Sequence, residues 1–246
     1  MASNSSQSPF INLVISAIGA SIAEVVTLPI CTTKTNYQNT KSTSIVSTIK
    51  SIHSNSGIKG FYQASVPAII GQAISTSSKY MLYRYFESLK LPYSNKMLNG
   101  AMGGVISSLI THPIDTFKIY KQMDTPLYLE IKQHGIKLLY RGYSKSFFKV
   151  LVSSSIFFPL YDTMYTFTEN AISASFMSAI ISTTIMHPID YLKTRHIYGL
   201  PLYSGFNPFN YYKGLALNLA RIVPHFVITM TTIDTLTNAV KNYSNE

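Results

Sequence analysis

The sequence predicts an all-α membrane protein in which three pseudo-symmetric two-helix repeats place six transmembrane helices around a central cavity. Hydrophobic residues form 46% of the 246-residue chain and charged residues only 12%, whereas soluble proteins carry roughly 25% charged residues. The apolar residues fall in six long runs, as helices that cross a bilayer require. A proline-containing motif that ends one run returns at the ends of two others, and such recurrence indicates an internal repeat.

The motif consists of a proline, an acid two residues later and a lysine three residues after the acid. Its three copies are Pro29, Cys31 and Lys34; Pro113, Asp115 and Lys118; and Pro188, Asp190 and Lys193. The prolines lie 84 and 75 residues apart, and the first copy has cysteine in place of the acid. A proline kinks the helix that it interrupts, and an acid and a lysine three residues apart lie on one helix face. If three such helices converge, the acid of one can meet the lysine of the next, giving a ring of ion pairs that could open as a gate.

The predicted spans follow from the apolar runs. They cover residues 10–28, 65–86, 97–111, 147–167, 171–186 and 215–240, which places the repeats at 1–92, 93–168 and 169–246. Ile45, Val46, Ile49 and Ile52 recur at helical spacing between the first two spans and predict a short helix at the membrane surface. We expect the same plan in each repeat.

Two further patterns support this topology. The loops that follow the three motifs contain thirteen lysines and arginines but only Asp124 and Glu130 as acids, and such a bias places these loops on one side of the membrane. Small residues recur before each motif proline and allow close helix packing. They are Ser16, Gly19 and Ala20; Gly100, Gly103 and Gly104; and Ser175, Ser178 and Ala179.

Several other classes of protein fit the sequence poorly. The net charge of +10 is compatible with a nucleic-acid polymer as partner, but the long charge-free apolar runs argue against it. Cys31 is the single cysteine, so no internal disulfide and no cysteine-based metal site are expected. His112 and His187 precede the motif prolines, yet no third ligand has suitable spacing for a metal. No cofactor is expected, and no nucleophile elbow or phosphate loop indicates an enzyme.

These motifs resemble the mitochondrial carrier family, in which each motif is followed, after a loop, by an aromatic-base-glycine triplet. The triplets here are Tyr140, Arg141 and Gly142; Tyr212, Lys213 and Gly214; and a degenerate Tyr62, Gln63 and Ala64. The resemblance covers essentially the whole chain. It implies a monomeric, multi-pass carrier that exchanges solutes across the inner mitochondrial membrane. The chain also resembles the carrier-like proteins that giant viruses encode. This resemblance rests on the absence of tryptophan, the richness in Ile, Asn, Ser, Lys and Tyr, and the degenerate first motif.

The resemblance implies two gates. In the matrix gate, Asp115 pairs with Lys193 and Asp190 with Lys34, while Cys31 leaves Lys118 without a partner. The cytoplasmic gate of the family is aromatic-acid-x-x-base. Asp162 and Asp234 keep the acid of this pattern and lose the base. In the first repeat two registers remain open, since either Arg84 and Glu87 or Glu87 and Lys90 can occupy the charged positions. In the first register, Arg84 faces Asp162 and Asp234.

The family's substrate positions correspond to Gly71, Lys149 and Arg221, with Val150 beside Lys149 and Lys79 two turns further along the helix from Gly71. Charges at this depth in a membrane are costly and indicate function. Because no cavity acid is visible beside these cations, the sequence favours an anionic substrate that carries phosphate groups. We therefore expect a nucleotide or deoxynucleotide carrier that works by alternating access.

The same residues are compatible with other functions. Lys149 can instead extend to the basic loops, and the chain can be a carrier for another anion such as a carboxylate, or for an amino acid. A carrier-fold scaffold without transport is a further alternative, because Cys31 and the missing cytoplasmic-gate bases weaken the gates. Finally, the triplets should start helices whose free backbone donors bind phosphate. The resemblance therefore predicts membrane-lipid contacts, with cardiolipin at Tyr140, Arg141, Gly142, Tyr212, Lys213 and Gly214.

Overall fold

A computed structural model describes residues 9–41, 44–89 and 96–244, and within these ranges the chain is helical with no β-strand. The helices are α1 (Pro9–Val26), α2 (Leu28–Asn39), α3 (Ile45–Ser56), α4 (Lys59–Tyr62), α5 (Ser65–Ser88), α6 (Lys96–Gln122), α7 (Leu127–His134), α8 (Tyr143–Thr168), α9 (Ala171–Tyr198) and α10 (Leu215–Ser244). Two short 3-10 helices, Ile136–Tyr140 and Pro208–Tyr212, precede α8 and α10. The predicted repeat boundary after residue 92 lies outside the described residues, and the boundary after residue 168 falls between α8 and α9.

Six long helices form a closed ring in chain order. Each of α1, α5, α6, α8, α9 and α10 packs against the next, and α10 returns to α1. Helix α2 continues from α1 and contacts α6, α9 and α10, while α6 also contacts α9. The segments that carry the three motifs therefore converge at one end of the ring, which we call the proline end.

The connections at the proline end differ between repeats. Helices α3 and α4 follow the first motif, and α7 follows the second. The loop after the third motif, residues 199–214, contains only the 3-10 helix Pro208–Tyr212. The expectation that every repeat carries a short surface α-helix is therefore wrong for the third repeat. Its loop contains three glycines or prolines within residues 199–205, namely Gly199, Pro201 and Gly205, and these residues disfavour a continuous helix.

The three motif prolines have different effects on their helices. Residues 10–26 and 28–39 meet at an angle of 59° around Thr27, and Pro29 lies in the first turn of α2, where a missing backbone donor costs nothing. Pro113 and Pro188 instead lie inside α6 and α9, both of which continue past the proline. Among the motif prolines, a break in the helix thus accompanies the first one alone.

The outer surface of the ring is apolar and much of its interior is polar. On α1, Val14, Ile18 and Ile22 are spaced one turn apart and are exposed, whereas Glu24 on the same helix is buried. This arrangement reverses that of a soluble helical bundle and suits a bilayer around a polar centre. By length and composition, residues 172–198 and 208–240 qualify as membrane spans. The bent pair of helices α1 and α2 is a third candidate if the two helices are taken together as a single span. The prediction of six spans thus remains a prediction for α5, α6 and α8.

The small residues before the motifs lie at helix contacts. A Cβ atom added to Gly19 would lie 3.1 Å from a side-chain carbon of Ile233, and one on Gly103 would lie 3.3 Å from the backbone nitrogen of Tyr83. Gly104 faces Val150 at 3.0 Å in the same way. Ser178 is fully buried. These residues therefore allow neighbouring helices of the ring to approach closely, as the pattern predicts.

Candidate functional site

Ion pairs join the converging helices at the proline end. Lys193 of α9 donates to Asp115 of α6 at 2.8 Å, and Lys34 of α2 pairs with Asp190 of α9. Lys34 also donates to Asn218 Oδ1 at 3.1 Å. Both pairs join the acid of one motif to the lysine of the following one, as the family resemblance implies.

The third pair corrects the prediction that Lys118 lacks a partner. Lys118 of α6 pairs with Glu24 of α1, which is only 2% exposed. Glu24 lies seven residues, or about two helical turns, before Cys31. We refer to Glu24, Lys34, Asp115, Lys118, Asp190 and Lys193 together as the ion-pair layer. No role was predicted for Glu24, although a single acid within the first apolar run is itself a signal of function.

Two of the three proposed substrate cations, Lys149 and Arg221, are bound to acids of the same layer. Lys149 of α8 pairs with Asp190, which thus holds two lysines. Arg221 of α10 donates to Glu24 at 2.5 Å, and His225 Nε2 lies 3.7 Å from the same carboxylate. The expectation of cavity cations without a matching acid is therefore wrong. The interpretation that Lys149 extends to the basic loops is also wrong in this structure, because its ammonium group contacts Asp190.

Two adjoining cavities, which share lining residues, lie inside the ring next to the ion-pair layer. Their volumes are about 440 and 510 Å³, and Gln72, Lys149 and Ser153 line both. Gly71, Lys79 and Val150 line the first cavity, and Arg221 lines the second. The two cavities thus bring together all five predicted substrate residues.

The charge of the cavity walls is unbalanced. Among the described residues, five cations and two carboxylates line the two cavities, namely Lys79, Lys118, Lys149, Lys193 and Arg221 with Asp115 and Asp190. Lys79 is exposed toward the first cavity and forms no ion pair with any described residue. The cavity therefore favours a negatively charged solute.

At the end of the ring opposite the ion-pair layer, the described residues form no comparable layer. Arg84 pairs at 2.8 Å with Glu87 of its own helix, and Asp162 and Asp234 are exposed. Neither aspartate forms an ion pair with a described residue, so the expected contact between Arg84 and these acids is absent from this conformation. Lys90, which the second register requires, lies outside the described residues. Among the residues that the structure describes, ion pairs close the proline end alone.

The bases of the triplets cap neighbouring helices. Arg141 donates to the carbonyl oxygen of Ile197 at 2.9 and 3.0 Å and to the Tyr120 hydroxyl. Lys213 donates to the carbonyl oxygen of Thr40 at 2.9 Å. Each base thus satisfies carbonyl groups at the C-terminal end of a motif helix from another repeat, where backbone acceptors lack helical partners.

The other triplet residues have structural contacts as well. Gly142, with a φ of 81°, occupies the residue before α8 and adopts a left-handed conformation that favours glycine. Gly214 has a φ of 87°. Tyr212 stacks on His187 with ring centroids 6.2 Å apart, and Tyr140 is exposed. Lipid binding at the triplets remains a prediction, and it would rely on backbone donors because the two bases are already engaged.

His112 and His187 are fully buried. His112 Nε2 lies 3.1 Å from the carbonyl oxygen of Arg141, and His187 Nε2 lies 3.2 Å from that of Lys213. The two histidines thus connect motif helices to the triplets. Within the described part of the chain, no group of three or more His, Cys, Asp or Glu residues is arranged to hold a metal ion.

We expect Arg141→Ala to lower the thermal unfolding temperature even in detergent without added lipid. The substitution leaves the Ile197 carbonyl oxygen without its charged donor, and such losses cost about 1–3 kcal/mol. Arg141→Lys should recover only part of the loss, because lysine cannot reproduce the planar guanidinium contacts. Thermal unfolding with and without cardiolipin measures this. If Arg141→Ala changes stability only when cardiolipin is present, the residue acts through lipid and not as a helix cap.

Comparison with known proteins agrees with this architecture. The family model described as mitochondrial carrier protein matches residues 5–94 and 89–171. A mitochondrial carrier-like protein of Acanthamoeba polyphaga mimivirus is 57% identical over 228 residues, which cover 93% of this chain and 96% of that protein. A mitochondrial thiamine pyrophosphate carrier of Kluyveromyces lactis is 23% identical over 215 residues, with 75% and 68% of the two chains covered. A thylakoid ADP,ATP carrier of Arabidopsis thaliana is 21% identical over 226 residues, with 79% and 54% covered.

The family match defines the class of protein as transmembrane solute transporters. The chain belongs to the mitochondrial carrier family. Members of this family are transporters rather than enzymes, and these three relatives are named as mitochondrial and thylakoid carriers.

Proposed function

We propose that this protein exchanges a nucleotide or deoxynucleotide across the inner mitochondrial membrane by alternating access. The observation that carries the proposal is the excess of cations over carboxylates around the two cavities, with Lys79 free of any ion pair to described residues. An anion can therefore bind without first breaking every contact in the site. In this proposal all six long helices span the bilayer.

The chemistry of the cavity supports a phosphate-bearing solute. Arg221 offers planar paired donors that match phosphate oxygens, and Lys79 and Lys149 add two point charges. The cavity volumes of about 440 and 510 Å³ lie in the range of small-molecule sites. Two relatives are named for phosphate-bearing solutes, thiamine pyrophosphate and ADP with ATP. These features favour a nucleotide over a simple carboxylate, which requires fewer cations.

The distribution of ion pairs supports alternating access. In the structure the ion-pair layer holds the proline end together, whereas Asp162 and Asp234 at the opposite end are exposed. We propose that opening of the ion-pair layer is accompanied by closure of the opposite end, where Arg84 can then approach these acids. The site would in this way face each side of the membrane in turn.

A carrier-fold scaffold without transport was motivated by the loss of the acid at Cys31. Because Glu24 provides Lys118 with a carboxylate, that motivation is weakened. The cations that face the cavity also have no function in a scaffold, since unpaired charges at this depth cost stability. We therefore favour transport.

Uptake of radiolabelled dATP and ADP into cardiolipin-containing liposomes that carry the purified protein tests this proposal. We expect uptake when the liposomes contain a nucleotide, and little uptake when they contain malate or buffer alone. If labelled malate enters malate-loaded liposomes and no nucleotide is exchanged, the substrate is a carboxylate and not a nucleotide. Folded protein that transports none of these solutes would support the scaffold.

A further inference from the structure

We propose that Glu24 serves as the third carboxylate of the proline-end gate, in place of the acid missing at Cys31, and links closure of this gate to Arg221. The second part rests on the proposed function, because it assigns Arg221 to the substrate. The first part depends only on the contacts of Glu24 and is tested separately below.

Glu24 joins three helices of the ring through one side chain. Its Oε1 accepts a hydrogen bond from Lys118 of α6, and its Oε2 accepts one from Arg221 of α10. His225, one turn after Arg221, lies 3.7 Å from Oε2. Glu24 itself belongs to α1 and is 2% exposed. The carboxylate therefore closes the ring between the first and the last long helix while it also holds the second motif helix.

The position of Glu24 places this gate carboxylate beside the substrate cavity. Glu24 lies about two helical turns before Cys31, on the other side of the break between α1 and α2. Arg221 lines the second cavity and its Nε also donates to the Thr27 hydroxyl at 3.4 Å. Thr27 is the residue at which α1 and α2 diverge by 59°. Arg221 thus contacts both the gate carboxylate and the helix break.

Competition for Arg221 provides the link between substrate and gate. A phosphate group that binds Arg221 takes the place of the Glu24 carboxylate, and the two negative groups then repel each other in a buried site. Lys118 lines the first cavity and is open to the same competition. We therefore expect an anion in the cavity to weaken the contacts of α1 with α6 and α10, which favours opening of the proline end.

The single cysteine of the chain provides a reporter of this opening. Cys31 is partly buried, packs against Leu28, Ala64 and Ala68, and lies within electrostatic reach of Glu24 and Lys118. A membrane-impermeant thiol reagent should label Cys31 from the proline side only when the ion-pair layer opens. Labelling is measured in liposomes, for the protein molecules whose proline end faces outward.

We expect Glu24→Gln to increase the labelling rate of Cys31 by about tenfold in the absence of nucleotide, because two buried cations lose their counter-charge. Glu130→Gln is the matched control, since Glu130 lies on α7 and its one ion pair among the described residues is with His134 at 3.5 Å. Its labelling rate should equal that of the unmodified chain. An unchanged rate in Glu24→Gln would overturn the proposal.

A second measurement uses Cys31→Asp, which returns the acid to the motif position. In the Glu24→Gln background this change should raise the thermal unfolding temperature, because Lys118 regains a carboxylate. In the unmodified chain it should give no increase, because Lys118 is already paired and the new acid lies near Glu24. Two results would overturn the assignment. One is an equal increase in the unfolding temperature in both backgrounds. The other is a double variant that is no more stable than Glu24→Gln or that lacks a cooperative unfolding transition.

The two proposals fail in different ways. Suppose that the unmodified chain transports no nucleotide, that Cys31 is labelled faster in Glu24→Gln, and that Cys31→Asp raises the thermal unfolding temperature of Glu24→Gln. The gate assignment then holds and the proposed substrate is wrong. If the unmodified chain exchanges nucleotide but the labelling rate does not increase with nucleotide concentration, the link through Arg221 is wrong.

Discussion

Replacement of Asp190 by Asn is expected to abolish transport and to cause a large loss of stability. Asp190 accepts hydrogen bonds from both Lys34 and Lys149, and its side chain is 11% exposed. An amide of the same shape removes the one negative charge between these two lysines. Loss of one partner from a buried ion pair costs about 3–5 kcal/mol, so uptake should fall by roughly a hundredfold or more. Radiolabelled nucleotide uptake and thermal unfolding measure the two effects.

Asp124→Asn is the control for this prediction. Asp124 is exposed and accepts a hydrogen bond from Ser56, outside the ion-pair layer. Asn tolerates the positive φ of 52° at this position. We expect near-normal uptake and stability for this variant. Equal behaviour of Asp190→Asn and Asp124→Asn would show that Asp190 does not hold the gate.

Arg221→Ala is expected to separate transport from stability. The variant removes the guanidinium group from the second cavity, yet Glu24 keeps its ion pair with Lys118. We therefore expect nucleotide uptake to fall by roughly a hundredfold, while the thermal unfolding temperature changes far less than in Asp190→Asn. Arg221→Lys should retain part of the activity, because lysine keeps the charge without the paired donors.

Lys59→Ala provides the matched loss of one positive charge. Lys59 is exposed on α4 at the proline end and lines neither of the two cavities. Its uptake should remain close to that of the unmodified chain. Near-normal uptake by Arg221→Ala would remove Arg221 from the substrate site and, with it, the link between Glu24 and the substrate.

The sequence was sufficient to predict the helical elements and the pairing rule. Apolar runs and turn residues depend on neighbours along the chain, so the starts of α5, α9 and α10 agree with the predicted spans. The pairs of Asp115 with Lys193 and of Asp190 with Lys34 were implied by the family resemblance, and both are present in the structure. The five substrate residues were placed by the same resemblance, and all of them line the two cavities.

Repeat symmetry was misleading where the repeats differ. Cys31 breaks the motif, and symmetry alone therefore left Lys118 without a partner. The structure supplies Glu24 from two turns away on α1, because a long lysine side chain can reach a carboxylate that is not at the equivalent position. The contacts of Arg141 were also decided by the tertiary structure, in which its guanidinium group caps α9.

The sequence by itself thus predicted the helices, since these depend on periodicity and local propensity, and its resemblance to the family supplied the residues expected to face the centre. The tertiary structure decided which carboxylate each cation binds. In a buried site every cation requires a counter-charge, and a flexible side chain takes the nearest acid in space. For Lys118 and Arg221 that acid is Glu24, which lies 94 and 197 residues away along the chain.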